Sequence, residues 1–327
     1  GYDIDFDFIY EEMKRRAPGQ DSLSTTRVEK DIPRVLSGVF QGKTTGAPLS
    51  AIIENNNTES KDYSELKVKM RPSHSDYPAM IKYGGYNDYR GGGHFSGRLT
   101  ALFVFAGAIC KEILKTKNIY VGAHIKSIGN IKDEDFNKVS ISKELLNDLR
   151  EERFPTLNKE ASEKMKEEIH RVKKQGDSIG GVIEGAVINL PVGIGNPMFN
   201  SVESVLSHML FSIPGVKGVE FGEGFNISTL KGSEAKDEYY MDGDNIKTYS
   251  NNNGGVLGGI TSGMPVTFAV AFKPTPSIAL PQKTINMDTR ENDILEVHGR
   301  HDPCIVQRAV PVVECAVAIG ILDILLQ

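Results

Sequence analysis

Five short segments gather the residue types that bind anions and move protons. The sharpest is Tyr89-Arg90-Gly91-Gly92-Gly93-His94-Phe95-Ser96-Gly97-Arg98, which opens a long apolar stretch. Glycine lets backbone amides approach a ligand closely, and the start of a helix offers free N–H donors and a positive dipole end. Ser96 and Arg98 would add a hydroxyl and a charge suited to a phosphate or the polar edge of a ring. The alternative is a tight loop feeding a core helix, and three glycines do not decide between the two. The segment is not a Walker loop, because no Gly-Lys-Ser/Thr follows. In Arg71-Pro72-Ser73-His74-Ser75-Asp76-Tyr77 an imidazole stands among small polar residues, suited to proton transfer near neutral pH, although composition alone favours a surface or capping role for His74. Gly299-Arg300-His301-Asp302-Pro303-Cys304 precedes a second apolar stretch, so at least one polar group must point into a pocket or to water. Asp302 would equally well cap that helix. Ser250-Asn251-Asn252-Asn253-Gly254-Gly255, with Gly258-Gly259, is rich in amides and bare backbone, and Lys273-Pro274-Thr275-Pro276-Ser277 is the fifth segment. Arg15, Arg16, Arg27, Arg71, Arg90, Arg98, Arg300 and Arg308 lie in or beside these loops. In a chain of net charge −5 that placement points to an anionic substrate carrying several charges, though any single one could be an ordinary surface arginine.

The elements that must position these loops follow from hydrophobic spacing. Residues 4–16 carry Phe6, Ile9 and Met13 at helical intervals and end at Pro18-Gly19. Residues 35–53 suggest strands and a turn. Residues 61–93 show little periodicity and fit an ordered functional loop. Residues 97–116 and 307–325 are apolar on most sides, so both helices belong inside. Strands are expected over 121–128, 180–192 and 266–272 and a helix over 204–213. Two charged helices over 143–174, split by Pro155, present a solvated face. Two buried helices among scattered strands give an α+β layered architecture, with residues 1–327 as a single domain.

Composition narrows the function. An acidic balance argues against broad nucleic-acid binding. Cys110, Cys304 and Cys315 lack metal-ligand spacing and fit free thiols in a reducing compartment, and no metal site is expected. No apolar run approaches the roughly 18 residues of a membrane span and no signal peptide opens the chain, so a cytoplasmic protein without membrane partners is expected.

Taken in order, the segments resemble chorismate synthase along nearly the whole chain. The family's Arg-Pro-Gly-Gln signature is met near Arg16-Ala17-Pro18-Gly19-Gln20, with an alanine interrupting it. Ser60-Lys61-Asp62-Tyr63, Arg71 to Tyr77 and Asp88 to Gly93 follow. Val216-Lys217-Gly218-Val219-Glu220, Gly232-Ser233-Glu234, Asn252 to Gly259, Lys273 to Ser277 and Gly299 to Glu314 complete the series. The resemblance implies a β-α-β layered sandwich with buried helices. It also implies a phosphate lyase that converts 5-enolpyruvylshikimate 3-phosphate to chorismate by 1,4-elimination, in the shikimate pathway of aromatic amino acid biosynthesis. Reduced FMN is required although there is no net redox change; NADPH enters where a member reduces its own flavin, and the usual assembly is a homotetramer. Carried over, His74 is the histidine that serves the reduced flavin, and Asp302 helps the flavin nitrogen act as base. Flavin contacts fall on His94, Phe95, Ser96, Pro214, Gly215, Gly258, Lys273, Pro274, Thr275, Pro276, Ser277 and Arg300. Substrate contacts fall on Arg16, Arg71, Arg98 and Arg300.

The chain departs from the family pattern at His94 and Phe95, where arginine and serine are usual, and at Gly97, Leu99, Asn196 and Pro276. The family's first strand and its Gly-Glu-Ser-His-Gly motif have no match. The alternative reading is therefore a flavin- or phosphate-binding member impaired in catalysis by loss of that histidine. A flavin reductase using a nicotinamide cofactor is a third, unsupported by any Gly-x-Gly-x-x-Gly after a strand.

Overall fold

A helix with apolar side chains on nearly every face has no solvent side and must sit inside. The computed structural model describes residues 1–19, 21–25, 30–55, 65–297 and 301–327. Among these the helices are α1 (Phe6–Arg16), α2 (Asp76–Lys82), α3 (Thr100–Thr116), α4 (Lys143–Glu151), α5 (Lys159–Lys174), α6 (Val202–Phe211), the single turn α7 (Gly232–Ala235) and α8 (Val306–Leu326). α8 buries Val310, Val313, Ala316, Val317 and Ile321 completely. It lies along α3, where Gly107 lets the two backbones meet: a Cβ built there would stand 2.2 Å from Cys315 Cβ and 2.5 Å from its Cα. Gly107→Ala is therefore expected to push the helices apart at a cost of about 3 kcal/mol, the upper range for overpacking. The measurement is a urea midpoint at unchanged m-value, and an unmoved midpoint would show the contact to be loose.

The sequence reading found no stretch suited to a bilayer, and α8 corrects it. At 21 residues and a mean hydropathy of 2.3 it passes by length and composition. Arg308, Glu314 and Asp323 interrupt the run in sequence. Protein covers it instead, with 78% of its most apolar window buried.

The helices pack on a five-stranded antiparallel sheet of β1 (Tyr120–Ile128), β2 (Ile131–Lys132), β3 (Gly181–Ile188), β4 (Val216–Phe221) and β5 (Val266–Phe272), in the order β2-β1-β3-β5-β4. Side chains alternate across a strand. Val121, Ala123 and Ile125 of β1, with Ile183 and Val187 of β3, join the core built on α3 and α8. Ala186 and Ile188 instead join Phe136 and the α4 residues Leu146 and Leu149. The hairpin Pro33–Ser37/Ser50–Ile53 adds Val35, Ala51 and Ile53 to the edge of the first core. The expected helices and strands are present with ends shifted by a few residues. Several elements were not expected, among them α2, short and mostly exposed, the single turn α7, the short strand β2, the hairpins Tyr239–Asp242/Asn245–Thr248 and Gln282–Asn286/Glu291–Leu295, and β4, an edge strand whose residues are largely half-buried. Cys304 and Cys315 are buried free thiols, and burial pushes Cys304 up to about 12, leaving it inert.

His124 sits inside on the α4 face, with Nδ1 3.1 Å from Asp133 Oδ2 and Nε2 2.9 Å from Glu184 Oε2. An imidazole donates from both nitrogens only when protonated. Burial opposes that charge, but hydrogen bonds to Asp133 and Glu184 and their charges outweigh it, and the His124 pKa is raised. Burial likewise opposes the two carboxylates, yet His124 and the backbone N–H groups of Leu157, Asn158 and Phe136 hold both of them low. The histidine's contribution is whole below its unfolded value of about 6.5 and is lost as pH rises through the folded value. The carboxylates contribute above about 4 and lose their share on acidification. Between about pH 6 and about pH 9 the urea midpoint is expected to fall further than that of His124→Gln; parallel curves would remove His124 from the stabilising cluster.

Candidate active site

The ends of several elements enclose one cavity of about 600 Å³, within the range of ligand sites. The approach to α3 contributes His94 to Arg98 and Thr100, the start of α8 contributes Ile305, Arg308, Ala309 and Val312, and the end of α1 contributes Arg16. The turn after α6 brings Ser212 to Gly215, and the stretch leaving β5 brings Lys273 to Ser277. Two long helices thus point their N-terminal ends, the positive ends of their dipoles, at the same space. Among the described residues the wall carries Arg16, Arg71, Arg98, Lys273 and Arg308 and the carboxylate Asp302, with Asp31 and Asp76 pairing Arg16 and Arg71 from behind. The remaining positive charge favours an anion.

Ser73, a non-glycine residue at φ +58°, turns the chain so that His74 comes over the first turn of α2. Asp76 there takes four donors. Its Oδ2 accepts from the Arg71 backbone N–H (3.1 Å) and Nε (2.7 Å), and its Oδ1 from Arg71 Nη2 (2.8 Å) and His74 Nδ1 (2.7 Å). Burial would raise the Asp76 carboxyl, but the hydrogen bonds from Arg71 and His74 and the Arg71 charge hold it well below the usual carboxylate range. Arg71 Nη1 also donates to Ser277 Oγ at 3.3 Å, tying this corner to the stretch after β5.

Across the cavity Arg16, almost wholly buried, donates through Nη1 to Asp31 and through Nη2 to the carbonyls of Gly97 and Arg98, each at 3.2 Å. Ser96 Oγ accepts from Arg98 N–H at 3.2 Å, shaping the entry to α3. Gly93 must be glycine: at φ +50° an added Cβ would lie 2.6 Å from Asp88 O. Asp302 is not the cap of α8, whose N-cap is Ile305. It accepts instead from Thr25 N–H at 2.9 Å and from Arg308 Nη1 at 2.5 Å, while Arg308 Nε donates to Arg16 O at 3.0 Å. Lys273 Nζ donates to Ser73 O; partial burial and then the charge of Lys217 lower its pKa. Both make this corner more receptive to a negative ligand.

Comparison with known proteins settles the family. The family model described as chorismate synthase matches residues 1–326. The chain belongs to the chorismate synthase family. It is 46% identical to the chorismate synthase of Thermococcus kodakarensis over 327 residues, covering 100% of this chain and 90% of that one. It is 45% identical to that of Pyrococcus abyssi, covering 100% and 89%, and 46% identical to that of Methanococcus aeolicus, covering 98% and 87%. A crystal structure of chorismate synthase superposes with a TM-score of 0.74 at 29% identity, covering 98% of this chain and 83% of the other.

Of the residues that the chorismate synthase resemblance singles out, nearly all meet in the one cavity. His74, His94, Phe95, Ser96, Pro214, Gly215, Lys273 to Ser277, Arg16, Arg71, Arg98 and Asp302 line it together. Gly258 does not, nor do Gly93 and Asn252. The asparagine loop is bound internally, with Asp237 accepting from the N–H groups of Asn252 and Asn253 and from the Ser250 hydroxyl. Arg300, Arg27 and Ser60 to Tyr63 lie outside the described residues. Arg15 and Arg90 are engaged elsewhere, by Glu12 and Glu314 and by Asp88. His301, whose segment the sequence singled out, lines the cavity too; sequence reasoning overlooked Thr25 and Ser212 as lining residues, and Asp76 as the partner of His74. Only Asp76 left a signal: an acid two residues from a histidine and five from an arginine, just ahead of a short helix.

Proposed function

We propose that this cavity carries out the anti-1,4-elimination of phosphate from 5-enolpyruvylshikimate 3-phosphate to give chorismate, with reduced FMN bound beside the substrate. The observation that carries the reading is the convergence of five cationic side chains, His74 and Asp302 on one space. The residues fit such a pair of ligands. Thr275 Oγ1 is buried in the cavity wall without a hydrogen-bond partner among the described residues, a deficit that a polar ligand atom would relieve. Reduced FMN, if bound, would supply electron density as phosphate departs and a ring nitrogen for the hydrogen the substrate loses. Arg16, Arg71 and Arg98 hold the carboxylates and phosphate by charge-assisted hydrogen bonds, and their charge stabilises the phosphate as the C–O bond breaks. His74 presents Nε2 to the ligands, and Asp302, held in place by Arg308 and Thr25, would help the flavin nitrogen act as base. His94, Phe95, Ser96, Pro214, Gly215 and Lys273 to Ser277 form the flavin wall in this proposal, together with Arg300.

The proposal treats residues 1–327 as one chorismate-synthase-like domain in a cytoplasmic homotetramer, in which Gly258 meets the flavin from a second copy of the chain. Support for assembly comes from large apolar side chains left outside, among them Phe199 at 88% and Phe225 at 87% exposure. Light scattering of the purified protein tests it. The activity is tested by anaerobic incubation with reduced FMN and 5-enolpyruvylshikimate 3-phosphate. Stoichiometric phosphate and chorismate are expected, and FMN binding without either product would overturn the reading. NADPH oxidation with oxidised FMN in the same assay separates a self-reducing member from one supplied with reduced flavin.

A further inference from the structure

We infer that Asp76 is a positioning residue for this reaction, a single carboxylate that holds the Arg71 guanidinium and sets the His74 ring with its proton on Nδ1, so that Nε2 is the atom offered to the ligand. The inference rests on the function proposed above for what it positions, and on geometry for how. A carboxylate has room for about four hydrogen bonds, and Asp76 fills all four from two side chains and a backbone N–H. The contact at 2.7 Å between Asp76 Oδ1 and His74 Nδ1 needs one hydrogen. Asp76, buried and kept anionic by its donors, has none to give. The hydrogen therefore sits on His74 Nδ1, because two bare acceptors would repel at 2.7 Å; with its one in-plane position so filled, Nδ1 has no lone pair left for Arg71 Nη2, which lies 3.1 Å away.

The other ring nitrogen makes no hydrogen bond among the described residues, and His74 lines the cavity. Gly92 lies beside that edge: a Cβ built on it would stand in van der Waals contact, 3.6 Å from His74 Nε2, and the glycine leaves the nitrogen uncovered on that side. In the neutral ring Nε2 is then a lone-pair acceptor, and in the protonated ring it is a donor, so one nitrogen serves both halves of a proton transfer. Because Asp76 also pins Arg71, the distance between the proton-handling atom and one of the phosphate-binding cations is set by a single side chain. A second carboxylate oxygen on Arg71 Nε keeps the guanidinium from rotating away.

The test reads the tautomer directly, in protein carrying ring-¹⁵N histidine, with the His74 signals assigned by their loss in His74→Gln. Wild type is expected to show the Nδ1–H pattern with an unprotonated Nε2. Asp76→Asn is expected to move His74 toward the Nε2–H pattern and to lower kcat about 100-fold, the scale of a misplaced acid–base group. Arg71→Lys, which spares the carboxylate, is expected to keep the wild-type tautomer. An Nε2–H pattern in wild type would overturn the inference, as would an unchanged tautomer in Asp76→Asn; if that variant does not fold, the wild-type spectrum decides alone. The spectra need no turnover, so failure of wild type to form chorismate would count against the proposed function and not against the hydrogen placement.

Discussion

Asp302→Asn is expected to lower kcat about 100- to 1,000-fold while weakening FMN binding less than about tenfold. The geometry separates the two effects. The amide keeps the shape of the carboxylate and an oxygen for the Thr25 N–H, which now lies 2.9 Å from Asp302 Oδ1. It gives up the charge that Arg308 meets at 2.5 Å and the capacity to accept a proton. The cavity wall therefore stands while the flavin nitrogen loses the carboxylate that helps it act as base. Asparagine is preferred to alanine here because removal of the whole side chain would also free Arg308, whose Nε anchors the end of α1 through Arg16 O. Anaerobic single-turnover phosphate release, set against an FMN titration of the same preparation, checks the prediction. Equal losses in the two would make Asp302 a structural residue.

Glu12→Ala should destabilise the fold by about 3–5 kcal/mol, the cost of removing one partner from a buried ion pair, out of the 5–15 kcal/mol that typically separates folded from unfolded. Glu12 is fully buried on α1 and accepts from Arg15, from Lys111 on α3 and from Arg150 on α4. Glu314 on α8, also buried, takes Arg15 at 2.7 Å and Lys111 at 2.8 Å. Burial opposes ionisation of Glu12, yet Arg15, Lys111 and Arg150 together hold its carboxyl far below the usual range. A lowered carboxyl contributes stability above its unfolded value of about 4.3 and loses it as pH falls through the folded value, so the penalty of Glu12→Ala should shrink on acidification. Urea unfolding near neutral pH and again near the acid limit measures both. A loss below about 1 kcal/mol at neutral pH would show the cluster to behave like a surface network.

Much of this was legible in the chain, for identifiable reasons. Helix α8 announces itself because burial on all sides demands apolar residues on all sides, and Pro155 marks the gap between α4 and α5. Helix α3 reads the same way but leaves Leu102 and Ala106 exposed, so its composition overstates its burial. The cavity was legible because close approach to a ligand restricts residue types: the glycines before α3, Lys273 to Ser277 and the Asp302 segment carry their chemistry in their composition. What escaped notice depends on distance along the chain. Nothing near Arg15 in sequence says that Glu314, 299 residues away, will claim it and leave its neighbour Arg16 to the cavity. β4 escaped because an edge strand with Lys217 and Glu220 partly exposed lacks the alternation that marks a half-buried strand. Asp302 read as a cap because the offset to α8 allows it, and only the fold brings Thr25 and Arg308 close enough to claim both oxygens.

The central claim is that one cationic cavity at the starts of α3 and α8 seats a flavin against a phosphorylated ring. A crystal structure with FMN and 5-enolpyruvylshikimate 3-phosphate bound tests it most directly. The account predicts substrate oxygens on Arg16, Arg71 and Arg98, with the flavin ring between His74 and Asp302. Ligands seated elsewhere, with these side chains still facing solvent, would contradict it.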